Sequence, residues 1–420
     1  MKNLTEFVSR HIGDDVTRLV LDRTRWPEID MDLAVSCIES RRKLKGKVQE
    51  WYDEPGLIFP RKLSAEQCSS SATGAYKAGL AAEIISSKEN GWHIADLTGG
   101  FGVDTWYFSK KAKTVLYNEM LPDLCEAAVH NFSVLHADNI EVRNGIAASG
   151  ELGFLADFNP DIVYMDPARR GEGGKKVFLI EDCTPDVLTL KEEIFSFSRH
   201  ILLKLSPMAD ITMACDRLGS SCREVHIVAA GGECKELLIW MDREWKGEYT
   251  IRAVELHNAR NTSFSFRPSE EKECTVSLAE KSMIENLLAG SEGTTYLFEP
   301  GKALMKAGAF NLTGRNFELT TLVKSTHYYI IDTASAEKIE SLNGLGKVFR
   351  IDCCLPLDKR SIKSASAAFP KAEVTARNIP MDTDTLRKKL GVTSSDDAHI
   401  FGLKSDSFGN ILLCTHRVLQ

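Results

Sequence analysis

The chain has 420 residues, 43% of them hydrophobic and 26% charged, with a net charge of -7. That length exceeds one ordinary hydrophobic core, and the balance is that of a soluble globular protein of two or more domains. The opening residues, Met1-Lys2-Asn3-Leu4-Thr5-Glu6, lack the apolar core of a signal peptide, and no run approaches the roughly 18 apolar residues of a membrane span. A cytoplasmic location is therefore expected. Eleven scattered cysteines, with no C-x-x-C pair and no histidines at zinc-ligand spacing, argue against a disulfide framework and against a metal site.

Residues 1 to 90 read as helical. Phe7, Ile12, Val16, Leu19 and Val20 recur at helical spacing, and Leu33, Ala34 and Ile38 continue the pattern. The run from Arg41 to Lys47 is basic, and reads either as a solvated helix face or as a phosphate contact. After the break at Glu54-Pro55-Gly56, Ser64 and Gln67 have the spacing of a capping box at a helix start.

From residue 92 the pattern changes to short apolar runs alternating with helical segments. Strands are expected at Ile94–Leu97, Val115–Tyr117, Asp161–Met165 and Ile201–Leu205, with a helix over 121–136. Such alternation implies parallel β-α-β units and a doubly wound sheet. Val225–Ala229 and Leu237–Trp240 then read as an antiparallel pair. The polar stretch Asn258 to Ser269 reads as a linker or exposed loop. The remainder is mixed α/β, with strands expected at Tyr328–Ile331 and Ile411–Leu413.

The chemistry concentrates at strand ends. Asp96-Leu97-Thr98-Gly99-Gly100-Phe101-Gly102 leaves the first strand and enters a helix, and its glycines let backbone approach a ligand. Glu119 ends the second strand, where an acidic side chain can accept both hydroxyls of a ribose. Asn144-Gly145 ends the third strand, and Asp166-Pro167-Ala168-Arg169 the fourth. All four lie on the edge where open α/β sheets bind ligands.

This set resembles the motifs of class I S-adenosylmethionine-dependent methyltransferases, over residues 92 to 245. The glycine loop and the Asp166–Arg169 tetrapeptide are also similar to a bacterial methyltransferase family with a THUMP-like domain at the C-terminus. Gln67-Cys68-Ser69-Ser70, Tyr76-Lys77-Ala78 and the segment Glu299 to Phe310 belong to that pattern. The resemblance implies a Rossmann-like seven-stranded sheet with a helical N-terminal region and a mixed α/β, ferredoxin-like and THUMP-like C-terminal region. The corresponding segments are 1–90, 91–255, 256–340 and 341–420.

By the same resemblance, Asp96, Thr98, Gly99, Gly100, Phe101 and Gly102 hold the methionine end of the cofactor. Glu119 takes the ribose, while Asn144 and Gly145 lie near the adenine. Asp166 and the carbonyl of Pro167 accept the two N–H bonds of an amino group to be methylated. Arg169, Arg170, Lys204 and Lys77 are candidate substrate contacts, although Lys204 also reads as a solvent lysine and Lys77 as part of a packed helix.

RNA is the expected substrate. THUMP-type domains are associated with RNA binding, and residues 346 to 420 carry 12 Lys/Arg against 8 Asp/Glu. Ala168-Arg169-Arg170 departs from the pattern of amino-methyltransferases, which often place an aromatic residue there to stack on a flipped base. Methylation of a protein or a small molecule stays open, and so do two readings of another kind. One is an inactive protein that binds S-adenosylmethionine and RNA. The other is an NAD-dependent oxidoreductase, against which Thr105 stands where G-x-G-x-x-G needs its third glycine.

Overall fold

The computed structural model describes residues 2–86, 91–169, 180–257, 261–290, 295–323, 325–331, 335–405 and 408–418. The chain forms two compact units. The first comprises Met1–Val225 and Lys235–Tyr249, the second His226–Cys234 and Thr250–Gln420.

The first unit begins with six helices: α1 (Lys2–Arg10), α2 (Val16–Leu21), α3 (Met31–Leu44), α4 (Gln49–Asp53), α5 (Lys62–Gln67) and α6 (Ser71–Ile84). Aspartates start two of them. Asp15 accepts the N–H of Thr17 and Asp30 that of Leu33, satisfying donors that a first helical turn leaves unpaired. The expected capping box at Ser64 and Gln67 does not form. Helix α5 begins at Lys62, so Ser64 lies inside it, and the capping box is made instead by Ser70 and Thr73 at the start of α6.

Three cations of the basic run after residue 40 are engaged by the fold, while Lys43 and Lys45 stay exposed. Arg41 is 4% exposed and donates to the carbonyls of Tyr52, Glu54, Pro55 and Leu57 at 2.8–3.2 Å. Arg42 holds the carbonyls of Ile12 and Asp14, and Lys47 those of Ala65 and Glu66. These cations tie down loops whose carbonyls no secondary structure satisfies.

The sheet contains β1 (His93–Asp96), β2 (Thr114–Glu119), β3 (Ile140–Asn144), β4 (Ile162–Met165), β5 (His200–Leu205), β6 (Cys222–Ala230) and β7 (Glu233–Asp242), in the order β6-β7-β5-β4-β1-β2-β3, and all of these strands fall in the first unit except residues 226–230 of β6 and 233–234 of β7. Strands β1 to β5 pair in parallel, and β7 runs antiparallel to β5. All four residues of β4 are buried, as expected for a parallel strand covered on both faces. Five connecting helices follow the strands: α7 (Val103–Ser109), α8 (Pro122–Val134), α9 (Phe154–Phe158), α10 (Val187–Phe197) and α11 (Ile211–Leu218). Strand order reverses between β1 and β4, which opens a crevice at their C-terminal ends.

The second unit holds the antiparallel pair β8 (Thr250–Leu256) and β9 (Thr262–Phe266). The expected linker is thus partly a strand. Ser263, Phe264, Ser265 and Phe266 alternate, with both phenylalanines buried; residues 258–260 of that stretch lie outside the described ones. A second sheet comprises β10 (Tyr296–Pro300), β11 (Thr320–Val323), β12 (Tyr328–Ile331), β13 (Gly346–Pro356), β14 (Glu373–Arg377), β15 (Ala398–Ser405) and β16 (Gly409–Arg417), in the order β11-β12-β10-β13-β16-β15-β14. Its central strands are buried on both faces. Leu412 and Ile400 pack with Phe369 and Leu386, whereas Leu413 and Phe401 pack with Tyr328 and Phe349. Among the described residues, no helix is long and apolar enough to cross a membrane.

Replacing Arg41 by methionine leaves four buried or half-buried carbonyls without their donor. A loss of at least about 3 kcal/mol is expected, since hydrogen bonds to charged groups contribute roughly 1.5–3 kcal/mol each. Urea unfolding of the variant checks this, and a loss below about 1 kcal/mol would show that water replaces the guanidinium.

Candidate functional site

A cavity of about 330 Å³ opens at the crevice, within the size range of small-molecule sites. Its walls come from the ends of β1, β2, β3 and β4 and from residues 64, 67, 68 and 69, which precede the sheet in sequence.

The glycine loop after β1 is shaped by close approach. A Cβ on Gly99 would lie 2.2 Å from the Tyr117 ring, and one on Gly102 would lie 2.6 Å from Phe132. Gly102 also adopts φ +82, a left-handed conformation that side chains disfavour. The Tyr117 hydroxyl donates to the Gly100 carbonyl at 2.6 Å, and Phe101 packs its ring against Phe59. Thr98 joins two strand ends, because its hydroxyl oxygen accepts the Asp166 N–H at 2.6 Å.

Asp96 is buried at the base of this loop. One carboxylate oxygen accepts the Thr98 N–H at 3.0 Å and the other accepts the Thr105 hydroxyl at 2.7 Å. Burial raises its pKa to about 7. The bonds from Thr105 and Thr98 oppose that shift, while the Asp104 and Asp166 carboxylates add to it.

Glu119 ends β2. It accepts the N–H of Gly100 at 2.9 Å through one oxygen and that of Leu121 at 3.0 Å through the other. Each oxygen keeps a lone pair for a further donor. Met120 and Ile146, 54% and 58% exposed, stand on the cavity wall with Leu121, Leu124 and Ala147. That gives an apolar slot beside an acidic acceptor. Gly145 lies on the wall, whereas the Asn144 amide turns back to the Glu119 carbonyl at 2.8 Å.

Asp166 lies on the cavity wall, and Lys204 donates to its Oδ2 at 2.5 Å. Pro167 is buried. Arg169 pairs through its backbone with Cys183, and Arg170 lies outside the described residues.

Lys77, expected as a substrate contact, is placed otherwise. It is fully buried and donates to Ser69 Oγ at 2.9 Å and to both Glu236 oxygens at 2.8 Å, with Asp104 Oδ1 at 3.3 Å. An ammonium enclosed in this way balances buried carboxylates and does not meet a ligand.

Asp104 and Glu236 carry no role in the sequence reading, yet they complete the network. Asp104 also accepts the hydroxyls of Ser69 at 2.9 Å and Tyr164 at 2.8 Å. Burial works against its charge, but Lys77 and Lys204 outweigh burial and hold its pKa below the ordinary value. The available signal for Glu236 was an acid directly leading the apolar run Leu237-Leu238-Ile239. Among the described residues, no group of three or more His, Cys, Asp and Glu side chains is placed to hold a metal.

The pH dependence of stability follows from Asp96. Its folded pKa lies above the ordinary 3.8, so its contribution is fully present below about pH 4 and is lost as pH rises through about 7. An Asp96→Asn variant removes that loss. Its stability relative to wild type should rise by a few kcal/mol between about pH 5 and about pH 8 in paired urea titrations. A pH-independent difference would place the Asp96 carboxyl in the ordinary range.

A THUMP domain-like family matches residues 346–417, and a ferredoxin-like domain matches residues 296–337. Among solved structures, the chain is similar to a Porphyromonas gingivalis W83 protein described as a "putative methyltransferase". The identity is 26% and the TM-score 0.83, over 99% of this chain and 98% of that one. The methyltransferase subunit of a type I restriction-modification system from Streptococcus thermophilus is 13% identical, with a TM-score of 0.34 over 45% of this chain and 47% of that one. An rRNA methylase from Streptococcus thermophilus is 12% identical, with a TM-score of 0.30 over 40% and 94%. These two overlaps are too partial to carry an argument. No curated protein matches the chain. Over nearly its whole length, then, the chain shares the fold of that Porphyromonas gingivalis protein, and its second unit carries a ferredoxin-like domain followed by a THUMP domain-like one.

Proposed function

We propose that the chain is an S-adenosylmethionine-dependent methyltransferase that acts on a base nitrogen of RNA. The observation that carries the cofactor half is the acidic wall of the cavity. Asp104 and Asp166 each have a lysine partner, whereas among the described residues the hydrogen bonds to Asp96 come from Thr98 and Thr105 alone. A ligand bearing an ammonium and a sulfonium supplies the positive charge that a buried carboxylate with a raised pKa lacks. A dinucleotide diphosphate would bring negative charge to the same loop, so the site disfavours it.

In this reading Asp96 and the loop Thr98 to Gly102 hold the methionine end, and Glu119 accepts the ribose hydroxyls. Met120, Ile146 and Gly145 flank the adenine. S-adenosylmethionine supplies an electrophilic methyl group. Asp166 accepts an N–H from the target nitrogen and so orients its lone pair; positioning of this kind can remove up to about 7–11 kcal/mol of barrier in favourable systems. The product nitrogen sheds its extra proton to solvent. Support for RNA comes from the THUMP domain-like match and from the excess of Lys and Arg over residues 346–420.

Calorimetric titration of the full chain should give micromolar binding of S-adenosylmethionine and none of NADH. Glu119→Ala should weaken the former at least about tenfold, the equivalent of roughly 1.4 kcal/mol. Unchanged affinity in that variant would remove Glu119 from the site, and absence of wild-type binding would refute the cofactor assignment. Radiolabelled methyl transfer into total RNA from a strain lacking the gene tests the acceptor.

A further inference from the structure

Asp166 is held from two directions. Its N–H donates to Thr98 at 2.6 Å, and its Oδ2 receives the Lys204 ammonium at 2.5 Å. Sheet register fixes this pairing: Met165 of β4 stands beside Leu203 of β5, so the next residue of each strand falls side by side at the rim of the crevice. Asp166 lies on the cavity wall, and Lys204 is not among the residues that line it. Among the described residues, Asp166 Oδ1 has no hydrogen-bond partner.

Lys204 is poorly placed to meet a substrate phosphate. Its side chain is only 13% exposed, and swinging outward would strip Asp166 of its counter-charge. Burial alone would discharge this ammonium, but the carboxylates of Asp166, Glu236 and Asp104 outweigh burial and hold its pKa well above the ordinary lysine value.

We propose that Lys204 is a positioning residue that occupies Asp166 Oδ2, leaving Oδ1 as a single-oxygen acceptor for one N–H of an uncharged acceptor nitrogen. This rests on the methyltransferase reading and narrows it. Because the Asp166 charge is already matched by a bonded ammonium, the site offers little extra attraction to a cationic amine such as a lysine side chain. A planar, neutral amino group of a nucleobase needs only an oriented acceptor, and one free oxygen supplies it.

The test has two arms. The first needs no activity. With lysine labelled at its ε-carbon, magnetic resonance of the full chain should show the Lys204 ammonium charged well above the ordinary lysine range, and Asp166→Asn should bring its titration down. An ordinary Lys204 titration that Asp166→Asn leaves unmoved would overturn the clamp. The second arm measures transfer of labelled methyl groups. Lys204→Met should lower kcat at least about tenfold while calorimetric affinity for S-adenosylmethionine stays unchanged, and Lys204→Arg should restore most of the rate. Wild-type kcat in Lys204→Met, or preferential methylation of lysine side chains in a protein acceptor over RNA, would refute the proposal. If wild type neither binds the cofactor nor transfers methyl groups, the methyltransferase reading falls, and the resonance arm still decides whether Lys204 clamps Asp166.

Discussion

Beneath one glycine loop the first unit buries several charged side chains, and their mutual neutralisation constrains everything around the cavity. Removing a carboxylate or an ammonium from water costs several kcal/mol unless close partners and hydrogen bonds compensate. Lys77 meets this requirement against Glu236 and Asp104, and Lys204 meets it against Asp166. Among the described residues Asp96 is held by hydroxyl and backbone donors alone, and burial raises its pKa. Protein cations are thus assigned to some carboxylates and withheld from the one at the base of the loop. That asymmetry leaves the base of the loop with a buried carboxylate that the lysines of the network do not neutralise.

The same network makes the helical N-terminal region part of the site. Ser69 and Lys77 come from before the sheet, Asp104 from α7, Tyr164 from β4 and Asp166 from just beyond its end, Lys204 from β5 and Glu236 from β7. Ser64, Gln67, Cys68 and Ser69 line the cavity alongside the glycine loop. The residues before 90 therefore belong with the sheet in one compact unit, whose compositional change near residue 92 marks a change of secondary structure.

Thr98 illustrates how small groups organise the cavity edge of the sheet. Its N–H donates to Asp96 and its hydroxyl accepts from Asp166, so the glycine loop and the residue that follows β4 share one anchor. Glu119 plays a comparable part at the other end, tying Gly100 to Leu121 while keeping lone pairs toward the cavity. In each case the backbone donors that fix a side chain also keep the ligand-facing geometry rigid.

Periodicity and local turn chemistry were legible from neighbouring residues alone. The parallel strands, the glycine turn between Asp96 and Gly102, and the acidic residue ending the second strand follow from spacings of a few positions, where steric and hydrogen-bonding rules act locally. The alternation Ser263 to Phe266 was equally local, but its polar surroundings disguised a strand as a linker. The partners of the charged side chains were not legible. Lys77 meets Glu236 across 159 positions, Arg41 closes on loop carbonyls 11 to 16 residues away, and Lys204 reaches Asp166 only because two strands share a register. A lysine or arginine reads the same in sequence whether it faces water or a buried carboxylate. Only packing sets the burial and the nearest counter-charge, and so only the tertiary structure decided which cations serve the fold and which carboxylates remain for a ligand.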